Sequence, residues 1–113
     1  VLGLGRLGNS LVRHLFLERA EVIAMDMDEK NVNAVKEHCH LAVQGDGSDM
    51  DTLREIGAGR VDLAFLCMGE SFEASVLALT NLLELKVPRI EVRASDARKA
   101  KIFKSIGAHG VFY

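Results

Sequence analysis

Six short strand-like runs recur along this chain, and they limit its fold more than any other feature: Val1-Leu2, Val22-Ile23-Ala24-Met25, Leu41-Ala42-Val43-Gln44, Leu63 to Met68, Ile90 to Ala94 and Val111-Phe112-Tyr113. Most are unbroken apolar stretches instead of polar-apolar alternations. That pattern belongs to strands of a parallel sheet with helices packed on both faces. Helical spacing fills the gaps between them. Leu7, Leu11, Val12 and Leu15 recur as far as Glu18-Arg19, and Asp28 to His38 carries Val32 and Val35 behind Asp28 as an N-cap. A short helix with Leu53 and Ile56 stops at Gly57. The longest runs from Phe72 to about Leu85 and ends before Pro88, and the last, capped by Ser95 or Asp96, runs through Lys104.

Right-handed crossovers turn this alternation into a doubly wound, Rossmann-type α/β sheet. The expected strand order, counted from Val1-Leu2, is 3-2-1-4-5-6 in a single domain, which suits 113 residues. The first run starts mid-strand and without Met, so a truncated first strand, and hence a fragment, is expected. The composition excludes other classes. A net charge of −2 with 14 basic and 16 acidic residues gives no basic footprint for a nucleic acid. The longest apolar stretch, Leu63 to Met68, falls far short of the roughly twenty residues of a membrane-spanning helix. Cys39 and Cys67 show no Cys-x-x-Cys spacing and read as reduced cysteines of a cytosolic protein.

The chemistry centres on Gly3-Leu4-Gly5-Arg6-Leu7-Gly8, which follows a strand and opens a helix, and on Asp26, eighteen residues after Gly8 at the end of the second strand. This is the spacing of a dinucleotide-binding fingerprint. Gly3 permits the tight turn, Gly5 lets the backbone approach a pyrophosphate, and Gly8 permits close helix-to-strand packing. The helix N-terminus offers free N–H groups and positive dipole to phosphates. Asp26 can accept from both ribose hydroxyls and repels a 2′-phosphate, and Met27-Asp28 beside it brings no arginine, so NADP is disfavoured. NAD and adenine nucleotides remain. A solvated glycine turn with a strand-end acid is the alternative.

Two cations lie near that edge. Arg6 can pair with phosphate oxygens in a bidentate fork or stand exposed at the helix start. Arg93 either faces the cleft or forms a surface ion pair with Asp96 or Glu91. After the third strand, Asp46 can accept from an adenine amino group with Gly47 and Ser48 beside it, and Ser48 or Asp49 caps the next helix. Met68-Gly69-Glu70-Ser71 lines the wall across the topological switch point. His38-Cys39-His40 suggests a metal by residue type, but adjacent side chains cannot converge on one ion and no second cluster completes the set. Six of the fourteen basic residues fall between Arg89 and Lys104, on a solvated or docking face. The helix from Phe72 is apolar on most of its circumference, as though buried nearly all round by this domain or another subunit.

The glycine loop, Asp26, the Gly45-Asp46-Gly47-Ser48-Asp49 turn and Ser105-Ile106-Gly107-Ala108 before the last strand together resemble the N-terminal domain of the regulators of potassium conductance, the RCK or TrkA-N (KTN) family. The resemblance covers the whole chain. It implies a cytosolic regulatory domain, at the inner face of the membrane, that binds NAD(H) or ATP/ADP and controls a membrane-embedded potassium transporter or channel. It also implies a homodimer or homo-oligomeric ring, to which the apolar fourth helix contributes, and a C-terminal lobe that this chain lacks. In that picture Gly3, Leu4, Gly5, Arg6, Leu7 and Gly8 form the phosphate loop and Asp26, Met27 and Asp28 the ribose end. Asp46, Gly47 and Ser48 flank the adenine, and Met68, Gly69, Glu70 and Arg93 form the opposite wall. Val92-Arg93-Ala94-Ser95 lacks the acids of calcium-gated members. The competing reading is the cofactor domain of an NAD-dependent oxidoreductase, although the chain shows no acid-base pair; a methyltransferase fits Arg6 and the closing strand less well.

Overall fold

The computed structural model describes residues 1–69 and 71–113. Among the described residues the apolar runs form five regular strands, β1 (Ile23–Asp26), β2 (Leu41–Gln44), β3 (Leu63–Leu66), β4 (Arg89–Arg93) and β5 (Gly110–Phe112). Every ladder is parallel: β1 pairs with β2, β3 with β4, and β4 with β5. The first run departs from expectation, since Val1-Leu2 contributes isolated bridges instead of a regular strand. Leu2 bridges Met25 on one side and Leu66 on the other. Its N–H donates to the Phe65 carbonyl at 2.9 Å, and its own carbonyl accepts from Cys67 N–H at 2.7 Å. One residue therefore joins a two-stranded ladder to a three-stranded one.

The crossovers that parallel strands require are α1 (Arg6–Leu17), α2 (Glu29–Val35), α3 (Met50–Glu55), α4 (Phe72–Glu84) and α5 (Ala97–Ile106). The helix expected through His38 leaves α geometry after Val35 and tightens into a 3₁₀ turn over Lys36–His38. Side chains close four of the N-termini: Asp28 for α2, Asp49 for α3, Ser71 for α4 and Asp96 for α5. Of each pair of expected caps the second residue caps. Ser48 instead donates to Asp46, and Ser95 takes the Lys99 ammonium. Helix α1 starts after Gly5 with no side-chain cap.

The core is split by the sheet. Ala24 packs with Leu4, Val12, Val22, Val32 and Val35 against α1 and α2. Its neighbour Met25 packs with Leu53, Leu66, Leu79, Leu82, Ile90 and Phe103 against α3, α4 and α5. Successive side chains of a strand point to opposite faces, so the two clusters lie on opposite sides. Coverage is less complete than the unbroken apolar runs imply. Beyond the α1–α2 cluster, Leu63 is 38% exposed and Phe65 and Phe112 are half-buried, meeting edge to face. This domain by itself does not bury helix α4 all round: Ser75, Ala78, Leu79 and Leu82 face the core, and Leu77 is 46% exposed.

Candidate functional site

The carboxyl ends of β1, β2, β3 and β4 open into a cavity of about 540 Å³ floored by the glycine loop. Its lining includes Gly3, Gly5, Arg6, Asp26, Met27, Asp28, Gly47, Met68, Gly69 and Arg93, all singled out in the sequence. A second depression of similar volume, between α5 and β5, brings none of those residues together.

The three loop glycines meet different surroundings. Gly3 has φ +93°, and a Cβ there would stand 2.7 Å from the Cys67 carbonyl carbon. Gly8 lies under the Gly3 carbonyl, leaving no room for a Cβ. Gly5 is different, because a Cβ there would meet nothing within 4 Å. Its bare face and the uncapped end of α1 look onto the cavity. The first turn of any helix leaves N–H groups without intrahelical partners, so these donors are open to an acceptor in the cavity.

Asp26 fixes that loop against β1. Its Oδ2 accepts the Leu4 N–H at 2.7 Å and its Oδ1 accepts the Asp28 N–H at 2.7 Å, while the Asn31 amide approaches Oδ2 at 3.4 Å. An ionised carboxylate has about four acceptor positions, so two strong bonds leave Asp26 able to take further donors. Sequence spacing alone did not reveal this second task of holding the loop.

Several expected contacts fall outside the cavity lining. Leu4 is buried in the α1–α2 core cluster, and Leu7 and Gly8 lie in the first turn of α1 outside the lining, where Gly8 packs against the Gly3 carbonyl. Asp46 is exposed, and its Oδ1 accepts both the N–H and the hydroxyl of Ser48, at 2.9 and 2.7 Å. That closed turn holds Asp46 and Ser48 out of the lining, and the Ser48 carbonyl is taken by the Asn81 amide at 2.8 Å. Glu70 lies outside the described residues. Ser71, expected on the far wall, does line the cavity, which also gains Met25, Asn31, Gly45, Cys67 and Ala74.

The far wall is the turn from β3 into α4. Gly69 N–H donates to the Cys67 carbonyl at 3.0 Å, and buried Ser75 donates its hydroxyl to the Met68 carbonyl at 3.0 Å, tying the turn to the helix. Burial pushes the Cys67 thiol up to about 11, against the smaller opposing pull of positive charge that includes Arg93. It is therefore a protonated thiol at neutral pH. Arg93 makes neither of its expected ion pairs: Glu91 faces Arg89 at 3.5 Å, and Asp96 accepts the Lys99 N–H at 2.8 Å as the α5 cap. The His38-Cys39-His40 side chains diverge. His38 Nε2 lies 3.4 Å from Arg13, Cys39 donates to the Val35 carbonyl, and His40 Nδ1 accepts the Val22 N–H.

The TrkA-N domain model matches residues 1–113, the entire chain. The chain belongs to the TrkA-N domain family. Among the relatives of this TrkA-N domain, the Ktr system potassium uptake protein C of Bacillus subtilis is 37% identical over 113 residues, covering all of this chain and 51% of that protein. The chain thus spans about half the length of the curated relatives it matches. Among solved structures, the NAD(P)-binding domain of an exopolyphosphatase-related protein from Archaeoglobus fulgidus superposes with a TM-score of 0.85 at 25% identity, over 99% of this chain and 84% of that one. The GsuK channel bound to NAD gives a TM-score of 0.82 at 13% identity, over 97% of this chain and 20% of that one, and shows the fold. The doubly wound α/β class expected of the sequence is the class of these neighbours.

Proposed function

We propose that this TrkA-N domain is a nucleotide-binding regulatory domain of a potassium transport system, with NAD(H) or ATP/ADP as its ligand. The observation that carries the reading is the pairing of a fixed carboxylate and an open helix end across one cavity. Asp26, held by Leu4 and Asp28, stands at the ribose end, and Gly5 with the uncapped start of α1 stands where a phosphate chain would lie. Arg6, the first residue of α1, adds a cation at the same edge. A 2′-phosphate next to Asp26 would meet like charge, which disfavours NADP.

The lining binds charge and is poorly equipped to move protons. Asp26 receives two backbone N–H bonds, Asp28 caps α2, and Cys67 holds its proton. The domain accordingly senses its ligand without turning it over. Potassium uptake is named for the Bacillus relative, and NAD is named in the GsuK structure. In this reading the domain sits on the cytoplasmic side, as a homodimer or homo-oligomeric ring, against a membrane-embedded transporter or channel subunit. Among the described residues no helix is long and apolar enough to cross a membrane. A ligand shifts such an assembly only if it binds two conformations with different affinity.

Competition titration of ATP, ADP, NAD⁺, NADH and NADP⁺ on the purified chain tests the reading. Tight binding without turnover, weakest for NADP⁺ and lost in Asp26→Asn, is expected. Absence of binding at millimolar concentration, or hydride transfer to a substrate, would overturn it.

A further inference from the structure

Helix α4 is hydrogen-bonded to two separate loops of the cavity. Near its start, buried Ser75 donates to the Met68 carbonyl at 3.0 Å, in the turn that leads into the helix. Six residues on, roughly 9 Å along the helix axis, the Asn81 side-chain amide donates to the Ser48 carbonyl at 2.8 Å, across 33 positions of sequence. The first bond closes a local turn; the second reaches a distant one. Ala74 lines the cavity and Ala78 is buried, and with Asn81 they fall at i, i+4 and i+7, on one side of the helix. The turn that Asn81 reaches runs from β2 into α3 and is fastened at three points. Gly45 N–H donates to the Asp26 carbonyl at 3.0 Å, which ties the turn to the ribose end. Gly47 is buried, and a Cβ there would stand 3.3 Å from Met68 Sδ and 3.4 Å from Leu2 Cδ1. Ser48 is the third point, held through its carbonyl by α4. Gly45 and Gly47 both line the cavity, so a shift of this turn moves the cavity wall.

We infer that Asn81 is a positioning residue that couples the base side of the cavity to the second half of α4, and this rests on the nucleotide reading above. With ribose at Asp26 and phosphates at α1, the base lies toward the β2–α3 turn, against the backbone at Gly45 and Gly47. A displacement of that turn passes through the Ser48 carbonyl to the Asn81 amide. It then reaches the stretch from Thr80 to Glu84, no residue of which lines the cavity. Thr80 and Glu84 are exposed and Leu77 is 46% exposed, so the coupling ends on the outer side of the helix. The chemistry of the pair is specific. A carbonyl oxygen accepts and never donates, so the amide nitrogen of Asn81 is the atom that serves it, and neither alanine nor an ionised aspartate can replace that donor.

The test is a set of proton–nitrogen correlation spectra of the chain, of Asn81→Ala and of Asn81→Asp, titrated with ATP and with NADH, with circular dichroism melts to verify folding. In the wild type the Asn81 side-chain amide and the backbone amides of Thr80 to Glu84 should move together with those of Gly45 and Gly47. In both variants Leu4, Gly45 and Gly47 should still move while Thr80 to Glu84 stay in place. Affinity should fall about fivefold, the worth of one neutral hydrogen bond. A residue that served stability alone would lower the melting temperature and leave both the shifts and the affinity of the folded chain unchanged. That result would overturn the assignment, as would wild-type α4 amides that stay in place while Gly45 moves. If no resonance moves at millimolar ligand, the nucleotide reading falls and this inference with it. If neither variant folds, the wild-type Asn81 side-chain amide decides the matter: it has to move with Gly47, and a stationary signal refutes the coupling.

Discussion

Gly5 and Gly8 are three residues apart in one loop, yet the structure assigns them opposite sensitivities. Alanine at Gly8 would drive its Cβ into the Gly3 carbonyl, backbone that cannot move without opening the loop, and should cost about 3 kcal/mol by urea denaturation. Alanine at Gly5 meets open space and a backbone φ of −66°, so its stability should stay within about 0.5 kcal/mol of wild type while nucleotide affinity falls. Equal destabilisation by the two changes would contradict the geometry. The fingerprint spacing made all three glycines visible, but not which of them has open space on the cavity side, because that depends on what Cys67 and Gly3 place around each. Cys67 itself gives a pH prediction. Its thiol is raised from an ordinary value of 9.0 to about 11, so the folded state holds the proton more tightly than the unfolded one. The stability this contributes is complete below pH 9 and is lost as pH rises from 9 to 11, by about 3 kcal/mol for two units. Urea titrations of wild type and Cys67→Ala between pH 8 and 11 should therefore converge; parallel curves would remove Cys67 as the cause.

Helix starts were among the most legible elements, since a cap acts within three residues of itself: Asp28, Asp49 and Asp96, each named as a cap candidate, and Ser71, which was not, accept from a backbone N–H two or three positions on. Helix ends were less so. α1 and α4 are followed by Arg19 and Lys86 in left-handed geometry, with φ of 63° and 62°, where a sequence reading looks for glycine. Tertiary packing decides there, because Val87 is buried and its N–H closes onto the Leu82 carbonyl at 3.1 Å, which fixes the turn regardless of the residue before it. The missed lining residues have a similar origin. Asn31 and Ala74 reach the cavity from the first turns of α2 and α4, whereas sequence reasoning followed strand ends. Arg93 was ambiguous for another reason: whether Glu91 pairs with Arg89 or Arg93 is a choice between two neighbours on one strand face, which spacing cannot make. Helix α4 supplies the element-scale prediction. Ser75→Ala leaves the Met68 carbonyl without its donor and should cost about 1–2 kcal/mol. The same change should weaken nucleotide binding by loosening the turn that carries Gly69. A variant with unchanged stability and affinity would show that this bond holds nothing in place.

At the scale of the whole molecule, the alternation of strands and helices was readable because burial on both faces removes polar residues from parallel strands, and the expected order put Val1-Leu2 between the second and fourth strands, where Leu2 bridges Met25 and Leu66; that this run makes only isolated bridges was not readable. The α1–α2 cluster and the larger α3–α5 cluster lie on opposite faces of the sheet, and the β1–β2 and β3–β5 ladders are joined by the segment Val1 to Gly3, in which Leu2 bridges both. The cavity straddles that joint, with Asp26 at the end of one ladder, Arg93 at the end of the other, and Met68 and Gly69 just beyond β3. A ligand bound across it therefore touches both halves at once, and mass action converts its affinity into stability of the whole domain. At a hundred times its dissociation constant a nucleotide contributes about 2.7 kcal/mol, which at roughly 4 °C per kcal/mol raises the melting temperature by about 10 °C. The distinguishing observation is where protection appears. Hydrogen exchange with saturating ATP or NADH should slow at the amides of Leu2, Gly3 and Cys67, whose hydrogen bonds cross the joint, and in both ladders together. Protection confined to β1 and β2 would mean that the ligand occupies the adenosine end alone, and the domain would then have no means of passing nucleotide state from one half of its sheet to the other.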